Sequence, residues 1–258
     1  MGDDGLRVER MGDAVRCVLD RPPLNLLEPA LIARLHAVFR TLAADASVRV
    51  AVLTGAGRAF TAGMDVRVLR DLDPAAARRL ITALHDALDA VHRAPFPTIA
   101  ALNGPALGAG FELALACDLR LAAQEATLGL PEVRVGVPSV IQAALLPSLV
   151  GPGRAAEMLL LGEAVPAAEA LAWGLVNRVV SAAGLRAAVE TTVARLLACG
   201  PTATRLQKRL IVEWRETDLR SAVRAGIDAF AEAYATGEPR EGAMAFLDKR
   251  APRFEERP

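Results

Sequence analysis

Two glutamates occupy positions where a carboxylate needs a special reason. Glu112 lies inside the apolar run ALGAGFELALAC, and Glu132 follows Pro131 in TLGLPEVRVGVP. A carboxylate in apolar surroundings loses its hydration, so it is paired, protonated or functional. Taken alone, each glutamate also fits a structural acid with satisfied hydrogen bonds. Two acids that face one dry pocket do not both ionise easily, which would leave one as a general base and the other as a general acid near neutral pH.

Two glycine-bearing loops each follow a predicted strand: GAGRAFTAGMD at residues 55–65 and NGPALGAGFE at residues 103–112. Small residues let a ligand approach the main chain, and free amides at a helix N-terminus attract negative charge. Two such amides from different loops are able to bracket one oxygen atom, although either loop alone also fits a plain tight turn. Neither loop has the phosphate-binding motif of mononucleotide-binding proteins or a proper GxGxxG motif, so nucleotide fingerprints are absent.

The other reactive residue types have plainer interpretations. The three histidines fall on predicted helices without the spacing of a metal site or a catalytic triad, and Ser139 lacks the GxSxG context of serine hydrolases. Cys17, Cys117 and Cys199 are far apart and lack metal-ligand spacing. We therefore expect three buried, reduced thiols and no metal site.

Composition restricts the class of protein. The chain has 258 residues, 53% of them hydrophobic, which is enough to bury a large core. Its 30 basic and 30 acidic residues give no net field that would attract nucleic acid or an anionic membrane. The first ten residues, MGDDGLRVER, lack the apolar core of a signal peptide, and no apolar run is long enough to span a bilayer. We expect a cytoplasmic protein with neither a nucleic-acid partner nor a membrane partner.

Strands and helices alternate through most of the chain, which predicts an α/β fold. Apolar periodicity predicts strands at residues 14–20, 47–55, 98–102, 119–123 and 176–180. Helix starts are indicated by Pro29, by Asp73 with Pro74, and by the loop that ends near Gly108. Each glycine loop thus lies between a predicted strand and a predicted helix.

The pattern changes near Gly200. The segments TATRLQKRLIVEW, DLRSAVRAGIDAFAEAYA and GAMAFLDKR have helical periodicity with no strand between them. We therefore divide the chain into a core with the candidate site, residues 1–198, and a C-terminal helical subdomain, residues 199–258.

The ordered series of motifs resembles the crotonase superfamily, the enoyl-CoA hydratase and isomerase family, over essentially the whole chain. The segments that carry this resemblance are LDRPPLNLL, GAGRAFTAGMD, IAALNGPALGAGFELALACDLRLAA, ATLGLPEVRVGVP, LLLGEAVPAAEALAWGLVNRVV and AFLDKRAPRF. Any one of them is weak, whereas the series in this order is specific. The resemblance implies a crotonase-type spiral of repeated β-β-α units, a C-terminal helical subdomain for oligomerisation, and assembly as a homotrimer or a dimer of trimers.

The resemblance also implies a catalytic apparatus. The backbone amides of Met64 and Ala109 would form an oxyanion hole for the thioester carbonyl, and loss of one such donor typically costs ~100–1000-fold in rate. Glu112 and Glu132 match the two glutamates of the family's hydratases, including their separation along the chain. By this analogy, ionised Glu112 would deprotonate water for attack at the β-carbon, and protonated Glu132 would deliver a proton to the α-carbon on the same face.

Coenzyme A is implied as part of the substrate, and no separate cofactor is implied. The residues that would contact the acyl-CoA within one chain are Pro23, Leu24, Leu26, Ala62, Asp65 and Gly108. Phe246 and Lys249 would reach the site of a neighbouring subunit, with Lys249 serving a CoA phosphate as a point charge. Lys249 fits an ordinary surface lysine equally well.

Two departures from the family pattern affect the expected reaction. Ala109 replaces the middle glycine of the common GGG loop, which a role for the backbone amide tolerates. The segment VGVPSVIQAALLP after Glu132 lacks the glycine-rich continuation usual in fatty-acid hydratases, and Ile141 and Gln142 there would reshape the acyl pocket. We predict syn addition of water to a trans-2-enoyl-CoA. The alternatives are an enoyl-CoA isomerase that uses Glu132 alone and a non-catalytic acyl-CoA-binding trimer.

Overall fold

The computed structural model describes residues 5–254, which form nine strands and ten α-helices. The strands are β1 (Leu6–Met11), β2 (Ala14–Leu19), β3 (Val50–Gly55), β4 (Thr98–Leu102), β5 (Ala106–Leu107), β6 (Leu119–Ala123), β7 (Thr127–Gly129), β8 (Val165–Pro166) and β9 (Arg178–Val180). The helices are α1 (Pro29–Ala44), α2 (Val66–Leu69), α3 (Pro74–His92), α4 (Ala109–Ala116), α5 (Leu146–Leu161), α6 (Ala167–Ala172), α7 (Ala182–Leu197), α8 (Pro201–Glu216), α9 (Leu219–Ala233) and α10 (Glu238–Leu247). Two short 3-10 turns, Pro131–Val135 and Ile141–Leu145, precede α5.

The main sheet has the order β1-β2-β3-β4-β6-β9 and is parallel except for the β1–β2 hairpin. Parallel neighbours need crossover connections, which the helices provide. A second sheet, β5-β7-β8, takes a short strand after β4 and another after β6. Main strand, short strand and helix therefore follow one another, as in β4, β5 and α4. This arrangement confirms the expected spiral of β-β-α units.

The two faces of the main sheet are covered by different helices. In β3, Ala51 and Leu53 belong to the large core cluster that includes α1 and α3, while Val50 and Val52 pack with Leu185 of α7. Both faces of the central strands are buried, which explains why β4 reads as the apolar run TIAAL without alternation. The strands expected at residues 98–102 and 119–123 have the bounds of β4 and β6.

The C-terminal helices pack on one another and on the core. Leu206, Leu210 and Ala229 join α8 to α9. Lys208, whose side chain is 3% exposed, pairs with Asp118 at 2.6 Å. Helix α8 is thus connected to Asp118, the residue before β6. The division of the chain near residue 198 stays a prediction.

The exposure of the cysteines and the length of the helices bear on two expectations from the sequence. Cys17 and Cys117 are buried and free, but Cys199 is exposed, so the prediction of three buried thiols is wrong for Cys199 because it follows the end of α7 at the surface. Within residues 5–254, no helix has the length and apolar character needed to cross a bilayer.

Candidate active site

The backbones of the two glycine loops touch one another. The Leu107 amide donates to the Thr61 carbonyl at 3.0 Å, and Thr61 forms an isolated parallel bridge with Ala106. A β-carbon on Gly110 would lie 2.4 Å from the Thr61 oxygen, which is too close for any side chain. The small residues of these loops therefore permit a main-chain contact, and are not turn formers alone.

Near this contact lie the backbone amides of Met64 and Ala109, for which the described chain provides no evident acceptor. The Leu27 amide donates to the Gly63 carbonyl at 2.9 Å in a parallel bridge to Met64. In such a bridge the residues that flank Met64 make the bonds, so the Met64 N–H points away from Leu27. Ala109 is the first residue of α4, and its N–H has no carbonyl in a preceding turn. A β-carbon on Gly63 would lie 3.3 Å from the Ala109 nitrogen, so both amides border one small space.

Glu132 lies beside this pair of amides. It belongs to the 3-10 turn Pro131–Val135, and the Ser139 hydroxyl donates to its Oε2 at 2.7 Å. A β-carbon on Gly108 would lie 2.8 Å from its Oε1. Gly108 has a φ of +54°, so this position favours glycine both for its backbone conformation and for the space that Glu132 fills.

Glu112 projects from the first turn of α4 and is 2% exposed. The Ala143 amide donates to its Oε1 at 3.1 Å. Burial raises the pKa of Glu112 to about 8; the Ala143 amide works against this shift, and the charge of Glu132 adds to it. At neutral pH the ligand-free protein therefore favours protonated Glu112. The expected division during the reaction, with Glu112 as the ionised partner, stays a prediction.

Both acids and both amides line one pocket of about 690 Å³. Its wall is aliphatic: the lining side chains include Val66, Leu69, Leu72, Leu80, Ile81, Leu84, Val135, Val137 and Val140. None of the described lining residues is aromatic. The pocket therefore combines a pair of carboxyl groups and a pair of main-chain donors with space for an apolar group.

Residues 12–257 match the sequence family described as enoyl-CoA hydratase/isomerase. The chain belongs to this family. It is similar to the crotonyl-CoA hydratase of Syntrophomonas wolfei, with 36% identity over 239 residues that cover 92% of each chain. The crystal structure of enoyl-CoA hydratase from Mycobacterium smegmatis has a TM-score of 0.94 and 35% identity, covering 97% of this chain and 98% of that one. The crystal structure of enoyl-CoA hydratase from Bacillus anthracis has a TM-score of 0.93 and 33% identity, covering 97% and 98%.

The segment expected to line the CoA groove runs beside the glycine loop at residues 55–65. The Ala62 amide donates to the Leu24 carbonyl at 3.0 Å, and Leu24 and Leu26 are half-buried. Ala62 and Gly108 line the pocket, whereas Pro23 is exposed and lies outside its lining. The structure thus places the main chain of this segment next to the site, and its contact with CoA stays a prediction.

Three other predicted residues do not line the pocket. The Asp65 side chain caps α2 and binds the Arg67 guanidinium, so it fixes the helix that follows Met64. Phe246, on α10, is 84% exposed, and Lys249 lies on the surface just after that helix. Their predicted role in a neighbouring subunit is untested within one chain.

Two asparagines that the sequence did not single out hold the first glycine loop. The Asn25 side chain is fully buried and donates to the carbonyls of Ala56 and Ala59, each at 2.9 Å. The Asn103 side chain donates to Gly57 and Ala59 and accepts from the Gly55 amide. In the sequence, each asparagine lies beside a turn that contains proline or glycine, which could have drawn attention to it. Only the fold shows that both side chains bind the loop at residues 55–65.

No metal centre is indicated by the described side chains. Within residues 5–254, no group of three or more His, Cys, Asp or Glu residues is placed to bind a metal ion.

The raised pKa of Glu112 predicts a pH dependence of stability. A carboxyl group whose pKa is higher in the folded protein favours folding at low pH, and this advantage is lost as pH rises from about 4.5 to about 8. The urea midpoint of the wild type should therefore fall over that range relative to Glu112→Gln, which has no charge to bury. The exposed variant Glu125→Gln should follow the wild type, and parallel curves for the wild type and Glu112→Gln would contradict the assignment.

Proposed function

We propose that this protein adds water across the conjugated double bond of a trans-2-enoyl-CoA thioester. The observation that carries the proposal is the meeting of Met64 and Ala109 amides with Glu112 and Glu132 in one pocket. Such a site supplies donors for a thioester oxygen and two proton-transfer groups for the neighbouring carbons. Coenzyme A enters as part of the substrate.

The two amides would stabilise the charge that develops during attack. As the water oxygen bonds to the β-carbon, the double-bond electrons move towards the thioester oxygen and form an enolate. The amides of Met64 and Ala109 are fixed before the reaction, so they stabilise this charge without reorganisation. The N-terminus of α4, where Ala109 lies, contributes a partial positive charge in the same direction.

The two carboxyl groups would balance the protons. By the family resemblance, Glu112 accepts a proton from water as the hydroxyl adds to the β-carbon, and Glu132 gives a proton to the α-carbon. Proton exchange then restores the starting state of the pair. Acids on one side of the flat enoyl group give syn addition.

The aliphatic wall supports an aliphatic acyl group. Four of the α3 side chains that line the pocket recur at helical spacing and offer one apolar strip: Ala77, Leu80, Ile81 and Leu84. Such a surface gains free energy by excluding water from a hydrocarbon chain. We therefore assign an alkyl enoyl-CoA, and not an aryl one, as the substrate class.

Self-association is proposed for the C-terminal helices. A single strip of α9 and its C-terminal cap carries large apolar side chains that are 55–80% exposed: Leu219, Val223, Ile227, Phe230 and Tyr234. Phe246 and Leu247 of α10 add to the exposed apolar surface. Monomeric proteins rarely leave such patches in water. A second copy of this chain is the partner that the family resemblance implies, as a homotrimer or a dimer of trimers. The cytoplasmic location expected from the sequence stays a prediction.

Hydration is tested by the loss of conjugated-thioester absorbance with purified protein and a panel of enoyl-CoA thioesters. The wild type should hydrate alkyl enoyl-CoAs faster than cinnamoyl-CoA, because the described pocket lining is aliphatic. Glu112→Gln and Glu132→Gln should each lose on the order of 100-fold or more in kcat, because general acid–base groups typically contribute that much. Glu125→Gln serves as the exposed control.

The same assay separates the alternatives. Full activity of Glu112→Gln, together with migration of the double bond, would favour an isomerase that uses Glu132 alone. Tight binding of the thioesters without any loss of absorbance would favour a non-catalytic binder. Both outcomes contradict two-acid hydration.

The oxyanion loop is tested by comparing two glycines with positive φ. Gly63 (φ +87°) and Gly57 (φ +69°) both disfavour a side chain through their backbone conformation, but an alanine β-carbon at Gly63 would lie 2.6 Å from the Leu107 oxygen, whereas nothing lies within 4 Å at Gly57. Gly63→Ala should therefore push the two loops apart and lower kcat about 100-fold, as expected for loss of one oxyanion donor. Gly57→Ala should cause only the strain of an alanine at positive φ and should leave kcat nearly unchanged. Equal losses of kcat in the two variants would argue against a role for the Met64 and Ala109 amides.

Assembly is tested by sedimentation. The wild type should sediment at three or six times the 27.2 kDa protomer mass, and the double variant Ile227→Glu with Phe230→Glu should shift towards the protomer because buried unpaired charge opposes association. Asp228→Lys, on the polar side of α9, is the matched control and should keep the wild-type mass. A monomeric wild type would rule out the proposed assembly.

A further inference from the structure

Arginines on the elements that border the pocket differ in whether they have a partner. Three of them are paired with a carboxylate: Arg67 with Asp65, Arg70 with Asp71, and Arg134 with Glu163. Arg78 of α3 lines the pocket, and its guanidinium forms no ion pair or hydrogen bond within residues 5–254. None of the residues three or four positions away on α3 is an acid, so the helix itself offers no partner. Arg78 is therefore able to bind an anion from outside the chain.

Helix α3 leads from the buried end of the pocket to its mouth. Leu84 is fully buried, and α3 packs against α4, which carries the buried Glu112. Arg78 is exposed to solvent. An α-helix rises about 1.5 Å per residue, so Leu84 and Arg78 are about 9 Å apart along the axis. Leu80 and Ile81 line the pocket between them. The apolar strip of α3 thus joins a buried end to a charged and hydrated rim.

We propose that Arg78 is a specificity-determining residue that binds a carboxylate at the far end of the acyl chain, so that the preferred substrate is the CoA thioester of a 2-enedioic acid. This inference rests on the proposed hydration and specifies the substrate class of that same site. It does not depend on which of the two acids in the pocket carries the proton.

The position of Arg78 at the rim favours a charged chain end. The methylene groups of an acyl chain that follows α3 lie on the apolar strip and lose contact with water, which gains free energy. A methyl group that reaches the rim stays in water and gains nothing further. A carboxylate at the same place keeps part of its hydration and pairs with the guanidinium, whose planar fork matches a carboxylate in two parallel hydrogen bonds.

The CoA phosphates are the other anionic groups of the proposed substrate. The segment expected to line the CoA groove includes Leu24, whose carbonyl accepts from the Ala62 amide. Arg78 belongs instead to the strip that is assigned to the acyl chain. A negative charge on Glu112 or Glu132 repels a further anion beside it, which also favours a carboxylate far from the thioester. These observations favour the acyl carboxylate over a phosphate.

The test uses pairs of thioesters that differ only in the group at the far end: trans-2-hexenoyl-CoA with trans-2-hexenedioyl-CoA, and trans-2-octenoyl-CoA with trans-2-octenedioyl-CoA. For at least one pair, the wild type should show a kcat/KM about fivefold higher for the enedioyl member, the size expected from an exposed ion pair. The preference should shrink as the salt concentration rises.

Substitutions of two adjacent arginines assign this preference. Arg78→Gln should remove it by raising KM for the enedioyl member, and Arg78→Lys should retain part of it, because lysine keeps the charge but not the planar fork. Arg79→Gln is the matched control. Arg79 is the next residue of α3 and is also exposed, but it does not line the pocket, so this variant should behave as the wild type.

Absence of a preference in the wild type, or a preference that survives in Arg78→Gln, would overturn the role of Arg78. The phosphate alternative predicts that Arg78→Gln raises KM equally for both members of each pair, and that this rise is absent with pantetheine thioesters, which lack the CoA phosphates. That result would also overturn the proposal.

Calorimetry of the saturated analogues hexanedioyl-CoA and hexanoyl-CoA decides the inference without turnover. The wild type should bind the first about fivefold more tightly than the second, and Arg78→Gln should bind both equally. Equal Kd values in the wild type count against Arg78. If the wild type hydrates no enoyl-CoA but this difference in Kd is present, the proposed hydration fails and the carboxylate site at Arg78 stands.

Discussion

The contact between the backbone at Thr61–Gly63 and the backbone at residues 106–110 is the constraint on which the site depends. Parallel hydrogen bonding across Thr61 and Ala106 fixes the distance between two loops that follow different strands. At that distance Gly63 and Gly110 have no room for a β-carbon. The amides of Met64 and Ala109 are consequently held by a rigid main chain, which is the condition for stabilising charge without reorganisation.

The electrostatics of the acids follow from the same arrangement. Helix α4 begins at the loop contact, so Glu112 in its first turn is carried into the core, where burial raises its pKa to about 8. Glu132 arrives from a 3-10 turn after β7 and stays half-buried beside Gly108. Two chemically identical side chains thus differ in hydration and in hydrogen-bond partner, although both line one pocket.

The core and the C-terminal helices differ in how much apolar side-chain surface they expose. Buried parallel strands and α4 form the rigid frame, while α9 and α10 present large apolar side chains to solvent. The Lys208–Asp118 pair joins these parts at a point where both charged groups are nearly buried. The cost of removing two charges from water offsets their attraction, so a buried pair of this kind is weak evidence of added stability.

The sequence by itself determined the strand–helix alternation, the glycine loops, the two glutamates and the family, because apolar periodicity and ordered motifs are local properties. It also located Asp73 and Pro74 at the start of α3. Only the tertiary structure decided which carboxyl group is buried, that Ser139 and Ala143 bind the acids, and that Cys199 is exposed. Those outcomes depend on contacts between segments far apart in the chain, which a local window of residues does not specify.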